Sequence, residues 1–130
     1  MKKILITGGA GFIGSNAALK FASNGWQIYL IDNLSRKGGK INLNNLKKKI
    51  RITFYNCDIE NFKKLSSIVS KIKPQLIIHC AGQVAVTTSV KNPRLDFNSN
   101  ATGTLNVLES IRLRSKKSKL IFLSTNKVYG

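Results

Sequence analysis

The residues with the most chemistry in them come early. Gly8-Gly9-Ala10-Gly11-Phe12-Ile13-Gly14 carries the spacing GxGxxG at Gly9, Gly11 and Gly14, between an apolar run and a helical pattern. Missing side chains there permit a tight turn, let a pyrophosphate approach the backbone and let a helix sit close to a sheet. The helix's free N–H groups and positive end then hold the anion. Asp32 closes the second apolar run, where a carboxylate takes the hydroxyls of an adenosine ribose. It would repel a ribose 2′-phosphate, so NAD is the expected cofactor, although Arg36 and Lys37 could pair with such a phosphate. Asp58 and Ile59, after the third run, allow two readings: they meet the adenine amino group and ring, or Asp58 caps the helix near Asn61. Thr87, Thr88 and Ser89, beyond the fourth run, either reach toward a ligand or cap a helix. His79, the only histidine, ends the fourth run and has two readings, a general base or a satisfied buried imidazole.

These residues need a scaffold. Short apolar runs at Lys3 to Thr7, Gln27 to Ile31, Arg51 to Tyr55, Gln75 to Cys80 and Lys119 to Leu123 are expected strands. Helical spacing links them over Phe12 to about Asn24, more weakly over Ile41 to Lys48, then through Phe62, Leu65, Ile68 and Ile72, and finally through Phe97, Ala101, Leu105, Leu108 and Ile111. Gly25, Pro74 and Pro93 mark helix boundaries. Strands alternating with helices imply an α/β fold with a parallel sheet covered on both faces, in the order 3-2-1-4-5. That order puts two strands between Cys57 and Cys80, roughly 14 Å at about 4.8 Å per strand, too far for a disulfide. Both are expected to be reduced core thiols, and no Cys/His spacing suggests a metal site.

The 130 residues, 42% hydrophobic, suit one domain and leave no room for a second. No run approaches the roughly 18 apolar residues of a membrane span, and the run after Lys2-Lys3 is too short for a secretory signal, so the expected location is cytoplasmic and no membrane partner is expected. Net charge is +17, from 22 basic and 5 acidic residues, which would ordinarily point to nucleic acid. However, lysine outnumbers arginine 17 to 5 beside 13 Asn and 15 Ile, a bias expected of AT-rich coding rather than of phosphate readout. No nucleic-acid partner is therefore expected. The clusters Lys47 to Lys49 and Arg112 to Lys119 read as cations at helix C-terminal ends.

Taken together, the spaced glycines, Asp32-Asn33-Leu34-Ser35, Asp58-Ile59, His79-Cys80-Ala81-Gly82, Asn100 and Val128-Tyr129-Gly130 make the chain resemble the extended short-chain dehydrogenase/reductases that epimerise or dehydrate sugar nucleotides. Within that family three runs, Asp32 to Gly38, Ala81 to Ser89 and Ser124 to Gly130, look most like the branch that inverts C2 of a CDP-linked dideoxyhexose. The resemblance implies a doubly wound parallel sheet, the Rossmann fold, and an NAD that takes a hydride from the sugar and returns it to the opposite face. It implies that Gly8, Gly11, Phe12, Ile13 and Gly14 cradle the pyrophosphate and that Asp32, Asn33, Leu34, Ser35, Arg36 and Lys37 surround the adenosine. It further implies that Asp58 and Ile59 meet adenine, that Ala81, Gly82 and Gln83 line the nicotinamide side, and that Asn100 supports the site. Gln83, Thr87 and Thr88 would meet the substrate, a nucleotide sugar, and Thr125 would be the catalytic hydroxyl. Without the resemblance, Ser124-Thr125 is an ordinary loop. UDP-sugar 4-epimerases and 4,6-dehydratases are the sister readings, and a dehydratase should place acidic residues where Asn126-Lys127 stand. A binding module without catalysis is the remaining alternative.

The family's Tyr-x-x-x-Lys pair is missing from these residues: Asn33 follows Tyr29 at that spacing, Ile59 follows Tyr55, and Tyr129 stands one residue from the end. Residues 1–130 are thus expected to be an incomplete NAD-binding domain, cut after the fifth strand and lacking the substrate-binding part. The full-length form could be a homo-oligomer. The fifth strand is expected to leave apolar surface open at the sheet edge.

Overall fold

Strands form where short apolar runs can be buried on two sides. A computed structural model describes residues 1–125, and in it β1 (Lys3–Thr7), β2 (Gln27–Asp32), β3 (Ile52–Asn56), β4 (Leu76–His79) and β5 (Lys119–Phe122) build one parallel sheet. Its order is β3-β2-β1-β4-β5, as expected. The register aligns Thr7 with both Ile31 and His79, Asp32 with Asn56, and His79 with Phe122, so the carboxyl ends of all five strands share one edge.

Alternation along β1 divides the core. Ile4 and Ile6 face α1 (Phe12–Ser23) and α2 (Gly39–Lys49), packing with Ala18, Leu43 and Leu46. Leu5 faces the opposite side, with Leu65, Ile68, Val69 and Ile72 of α3 (Phe62–Ile72) and Val107 of α6 (Gly103–Arg114). Each such buried aliphatic side chain contributes roughly 1.5–3 kcal/mol, which makes the two-faced burial of the sheet the main stabilising term. Asn61 caps α3, its Oδ1 accepting the Lys64 N–H at 3.1 Å. Lys47 to Lys49 fall in the last turn of α2, and Arg112 and Arg114 in that of α6, where the helix dipole favours cations.

Three expectations need correction. The segment expected as one helix through Phe97 and Ile111 is divided: α5 (Pro93–Phe97) leads into a π turn (Asn98–Thr102) and then α6, with the Gly103 N–H reaching the Asn98 carbonyl. The buried face of α6 is Gly103, Val107 and Ser110, whereas Leu105 and Leu108 are exposed. Small residues let α6 approach α3 closely, which turns the larger ones outward. A further short helix, α4 (Val86–Lys91), had no periodic signature because none of its residues is buried. Finally, Cys57 and Cys80 are both free, but only Cys57 is fully buried; Cys80 is half-buried. At the β5 edge Ile121 and Phe122 are exposed, as expected.

Candidate functional site

The glycine turn between β1 and α1 is dictated by space. Gly8 has φ +64°, a left-handed conformation, and a Cβ there would lie 2.8 Å from the Ala81 amide nitrogen. A Cβ on Gly14 would collide with the Gly8 carbonyl. Gly9 serves packing instead, lying against Leu30. The turn is closed by Gly11 N–H donating to the Gly8 carbonyl at 3.0 Å. Gly11 is the N-cap of α1 without a side-chain bond, and the first turn of α1 contains no acidic residue. Its leading amides therefore have no competing partner from the chain's own carboxylates, which suits an anion.

On the β2–β3 flank, Asp32 organises the backbone. Its Oδ2 accepts the Ala10 N–H at 3.0 Å and its Oδ1 accepts the Leu34 N–H at 2.8 Å. Each oxygen keeps a lone pair for a further donor such as a ribose hydroxyl. Asp58 does not cap α3, since Asn61 does. Its carboxylate accepts from Asn33 Nδ2 at 2.8 Å and from the Glu60 N–H at 2.9 Å. Ile59 is held from behind: its side chain lies against Gly103, where an added Cβ would meet its Cδ1, and Asn106 Nδ2 donates to its carbonyl at 2.9 Å.

On the β4 flank, Asn100 brackets Gln83. Its Oδ1 accepts the Gln83 N–H and its Nδ2 donates to the Gln83 carbonyl, both at 2.9 Å. Gly82 passes so close that a Cβ would sit 2.9 Å from Asn100 Oδ1. None of Thr87, Thr88 and Ser89 caps a helix: the N-cap of α4 is Ala85, without a side-chain bond, and that of α5 is Asn92. His79 is buried at 2% exposure with both ring nitrogens bonded, to Thr7 Oγ1 and Thr104 Oγ1. Burial lowers its pKa to about 4, so it is a neutral structural imidazole at physiological pH rather than a base in the cleft. Burial also pushes the Cys80 thiol up to about 11 and raises that of Cys57, so neither is a ready nucleophile.

These segments enclose a cleft of about 630 Å³ along the carboxyl edge of the sheet. It brings together Gly8, Gly11, Phe12, Ile13 and Gly14, then Asp32, Asn33, Ser35 and Arg36, then Asp58 and Ile59, then Ala81, Gly82, Gln83 and Thr88. Leu34 is not in it; that side chain packs into the core beside α2. Lys37 and Thr87 are exposed and do not line it, and Asn100 stands behind it, against Gly82 and bonded to Gln83. Thr125 lies three residues beyond β5, and residues 126–130 of the Ser124 to Gly130 run lie outside the described residues. Cys57, Glu60, Cys80, Leu95 and Ser99 also line the cleft. Sequence reasoning missed these, and it missed Gly103, whose signal was a glycine within a helical pattern. Phe12 and Ile13 are exposed beside the free amides of α1, an apolar rim around a polar floor. A glycine cradle without side-chain caps, a bare helix start and a carboxylate with spare lone pairs fit a dinucleotide. Among the described residues no group of three His, Cys, Asp or Glu could hold a metal, and no helix is long and apolar enough to cross a membrane.

Comparison with known proteins agrees with this geometry. The profile of the GDP-mannose 4,6 dehydratase family matches residues 5–130. CDP-paratose 2-epimerase of Salmonella typhi is 46% identical over 98% of the chain, which covers 38% of that protein. The UDP-Glc/GlcNAc 4-epimerase of Campylobacter jejuni superposes with a TM-score of 0.91 at 35% identity, over 100% of this chain and 39% of the other. UDP-glucose 4-epimerase of Brucella ovis, solved in complex with NAD, superposes with a TM-score of 0.87 at 32% identity, over 100% of this chain and 38% of the other.

Proposed function

The chain belongs to the GDP-mannose 4,6 dehydratase family, within the extended short-chain dehydrogenase/reductases, and on that footing we propose that residues 1–130 are the NAD-binding portion of a nucleotide-sugar epimerase. The observation that carries the proposal is the continuity of the cleft: Asp58 and Ile59 at one end, the glycine turn and α1 in the middle, Ala81 to Gln83 at the other. A ligand with two nucleoside halves and a central diphosphate has this layout.

In this reading the amides at the start of α1 hold the diphosphate, with Gly8, Gly11 and Gly14 keeping side chains out of its way. Asp32 takes the adenosine ribose while its backbone bonds hold the carboxylate still. Asp58 and Ile59 flank adenine, and Asn33, Ser35 and Arg36 close over it. Asp32 at the ribose position favours NAD over a 2′-phosphorylated cofactor. Bound NAD supplies the hydride acceptor and donor. Ala81, Gly82 and Gln83 shape the nicotinamide side, Gln83 and Thr88 meet the sugar, and the Thr125 hydroxyl bonds the reacting sugar oxygen and eases loss of its proton.

For the substrate we take a CDP-linked dideoxyhexose, with CDP-paratose converted to CDP-tyvelose through a 2-keto sugar; the 46% identity to a CDP-paratose 2-epimerase supports this choice. Epimerisation of a UDP-sugar at C4 is the second reading, favoured by the solved structures the chain superposes on. Asn126-Lys127 argues against a dehydratase. The longer protein would act in the cytoplasm on a small-molecule substrate, as a possible homo-oligomer, without nucleic acid or membrane partners.

The test has two arms. Calorimetric titration of the chain with NAD should show saturable one-site binding, and silence would contradict the cofactor reading. Residues 1–130 alone, without Tyr-x-x-x-Lys, should leave CDP-paratose unchanged, because general acid/base help worth roughly 10²–10⁴ in rate is missing. Conversion at an ordinary enzymatic rate would contradict that assignment of roles.

A further inference from the structure

Beneath the β4 flank runs a chain of hydrogen bonds whose direction can be deduced. Thr104 Oγ1 donates to the Asn100 carbonyl at 2.6 Å, so its only proton is committed. The 3.0 Å contact between His79 Nε2 and Thr104 Oγ1 must then have the imidazole as donor. A neutral ring protonated at Nε2 has a bare Nδ1, which accepts the Thr7 hydroxyl at 2.6 Å. Thr7 Oγ1 in turn accepts the Ala81 N–H at 3.2 Å. The sequence of donors is unbroken from Ala81 through Thr7, His79 and Thr104 to the backbone of Asn100. The side chain of that same Asn100 clamps Gln83 from both sides. Segment 81–83 is thus tied at its start and its end to one buried ring.

We propose that His79 is a positioning residue: as the neutral Nε2–H tautomer it fixes the shape of Ala81-Gly82-Gln83, the nicotinamide side of the cleft. This rests on the dinucleotide reading of the cleft. The fold explains why an imidazole is used. One hydroxyl comes from β1 and the other from α6, and a ring that accepts at one nitrogen and donates at the other joins them, whereas a hydrocarbon side chain would leave the Thr7 proton without an acceptor and the Thr104 oxygen without a donor. The π turn contributes by carrying Asn100, so that its carbonyl meets Thr104 while its amide meets Gln83.

Three measurements on the chain test the proposal. Nitrogen-15 spectra of His79 should show a directly bonded proton at Nε2 and none at Nδ1; the reverse tautomer would overturn it. Amide exchange at Ala81 and Gln83 should speed up about tenfold in Thr104→Val and His79→Phe and return to the parent rate in Thr104→Ser, which restores the hydroxyl. NAD affinity should fall about tenfold in the first two variants and recover in the third. Should His79→Phe fail to fold, the Thr104→Val and Thr104→Ser pair decides alone, because Thr104 is only partly buried. Parent-like exchange in Thr104→Val would overturn the proposal. A parent chain that binds no NAD would sink the dinucleotide reading, while the tautomer and the exchange contrast still decide the role of His79.

Discussion

The two flanks of the cleft are held by different means. On the β2–β3 side several contacts are short in sequence, Asp32 to Leu34 and Asp58 to Glu60, others join neighbouring strand ends, Asp32 to Ala10 and Asn33 to Asp58, and Asn106 of α6 braces the Ile59 carbonyl from behind. On the β4 side nothing local suffices. Segment 81–83 depends on Thr7 from β1, Asn100 from the π turn and Thr104 from α6, joined through a buried imidazole. The first flank is held mainly by its own strand ends, with α6 as a brace behind Ile59. The second draws its support from β1, the π turn and α6 together. Val84, Val86, Val90, Leu95 and Phe97 lie exposed along it, whereas the first flank shows no such stretch. The β2–β3 end of the cleft thus rests on strand-end turns with one brace from α6, whereas the β4 end rests on a relay through a buried ring.

The contrast can be broken or sharpened by substitution, beginning at the shared centre. Gly14→Val should abolish NAD binding and cost about 3 kcal/mol or more in urea unfolding, since its Cβ would meet the Gly8 carbonyl. Asp32→Ala should weaken NAD about a hundredfold by calorimetry, with loss of two backbone bonds and a ribose contact, yet leave amide exchange at Ala81 and Gln83 unchanged. Faster exchange there would show that the flanks are not independent.

Acid should act on the β4 flank through His79. Its pKa is about 4 in the fold against 6.5 ordinarily, so between those values the unfolded chain holds the extra proton and stability rises with pH. The contribution, roughly 3 kcal/mol, is complete above pH 6.5, declines as pH falls, and is gone below about 4. Urea unfolding across that window should show the slope in the parent chain and a flatter one in His79→Phe. The smallest effect is a control: Ser110 Oγ is buried without a hydrogen-bond partner among the described residues, so Ser110→Ala should be neutral or stabilise by up to about 1 kcal/mol without altering NAD affinity.

How much of this was legible in the sequence follows the same division. The strands, their order and the glycine turn could be read because apolar runs and Gly8, Gly11 and Gly14 act within a few residues of themselves. Asp32 could be read because it ends a strand. Asp58 could not be resolved between capping and binding, since both uses begin from the same carboxylate and the neighbouring Asn61 takes the cap. The α5–π–α6 segment misled because its large apolar residues point outward, and close packing on α3 is carried by Gly103, Val107 and Ser110. Leu34 and Lys37 look like their neighbours in sequence, but a left-handed Leu34 at φ 56° sends its side chain into the core. The role of Asn100 as a clamp on Gln83, 17 residues away, is a tertiary fact without a local signature.

The central claim is tested most directly by titrating the nitrogen-15-labelled chain with NAD and following each amide by NMR. Saturable shifts should gather at Gly11 to Gly14, at Asp32 and Asn33, at Asp58 and Ile59, and at Ala81 to Gln83, on both flanks at once. Shifts confined to other surfaces, or none at saturating cofactor, would contradict the account.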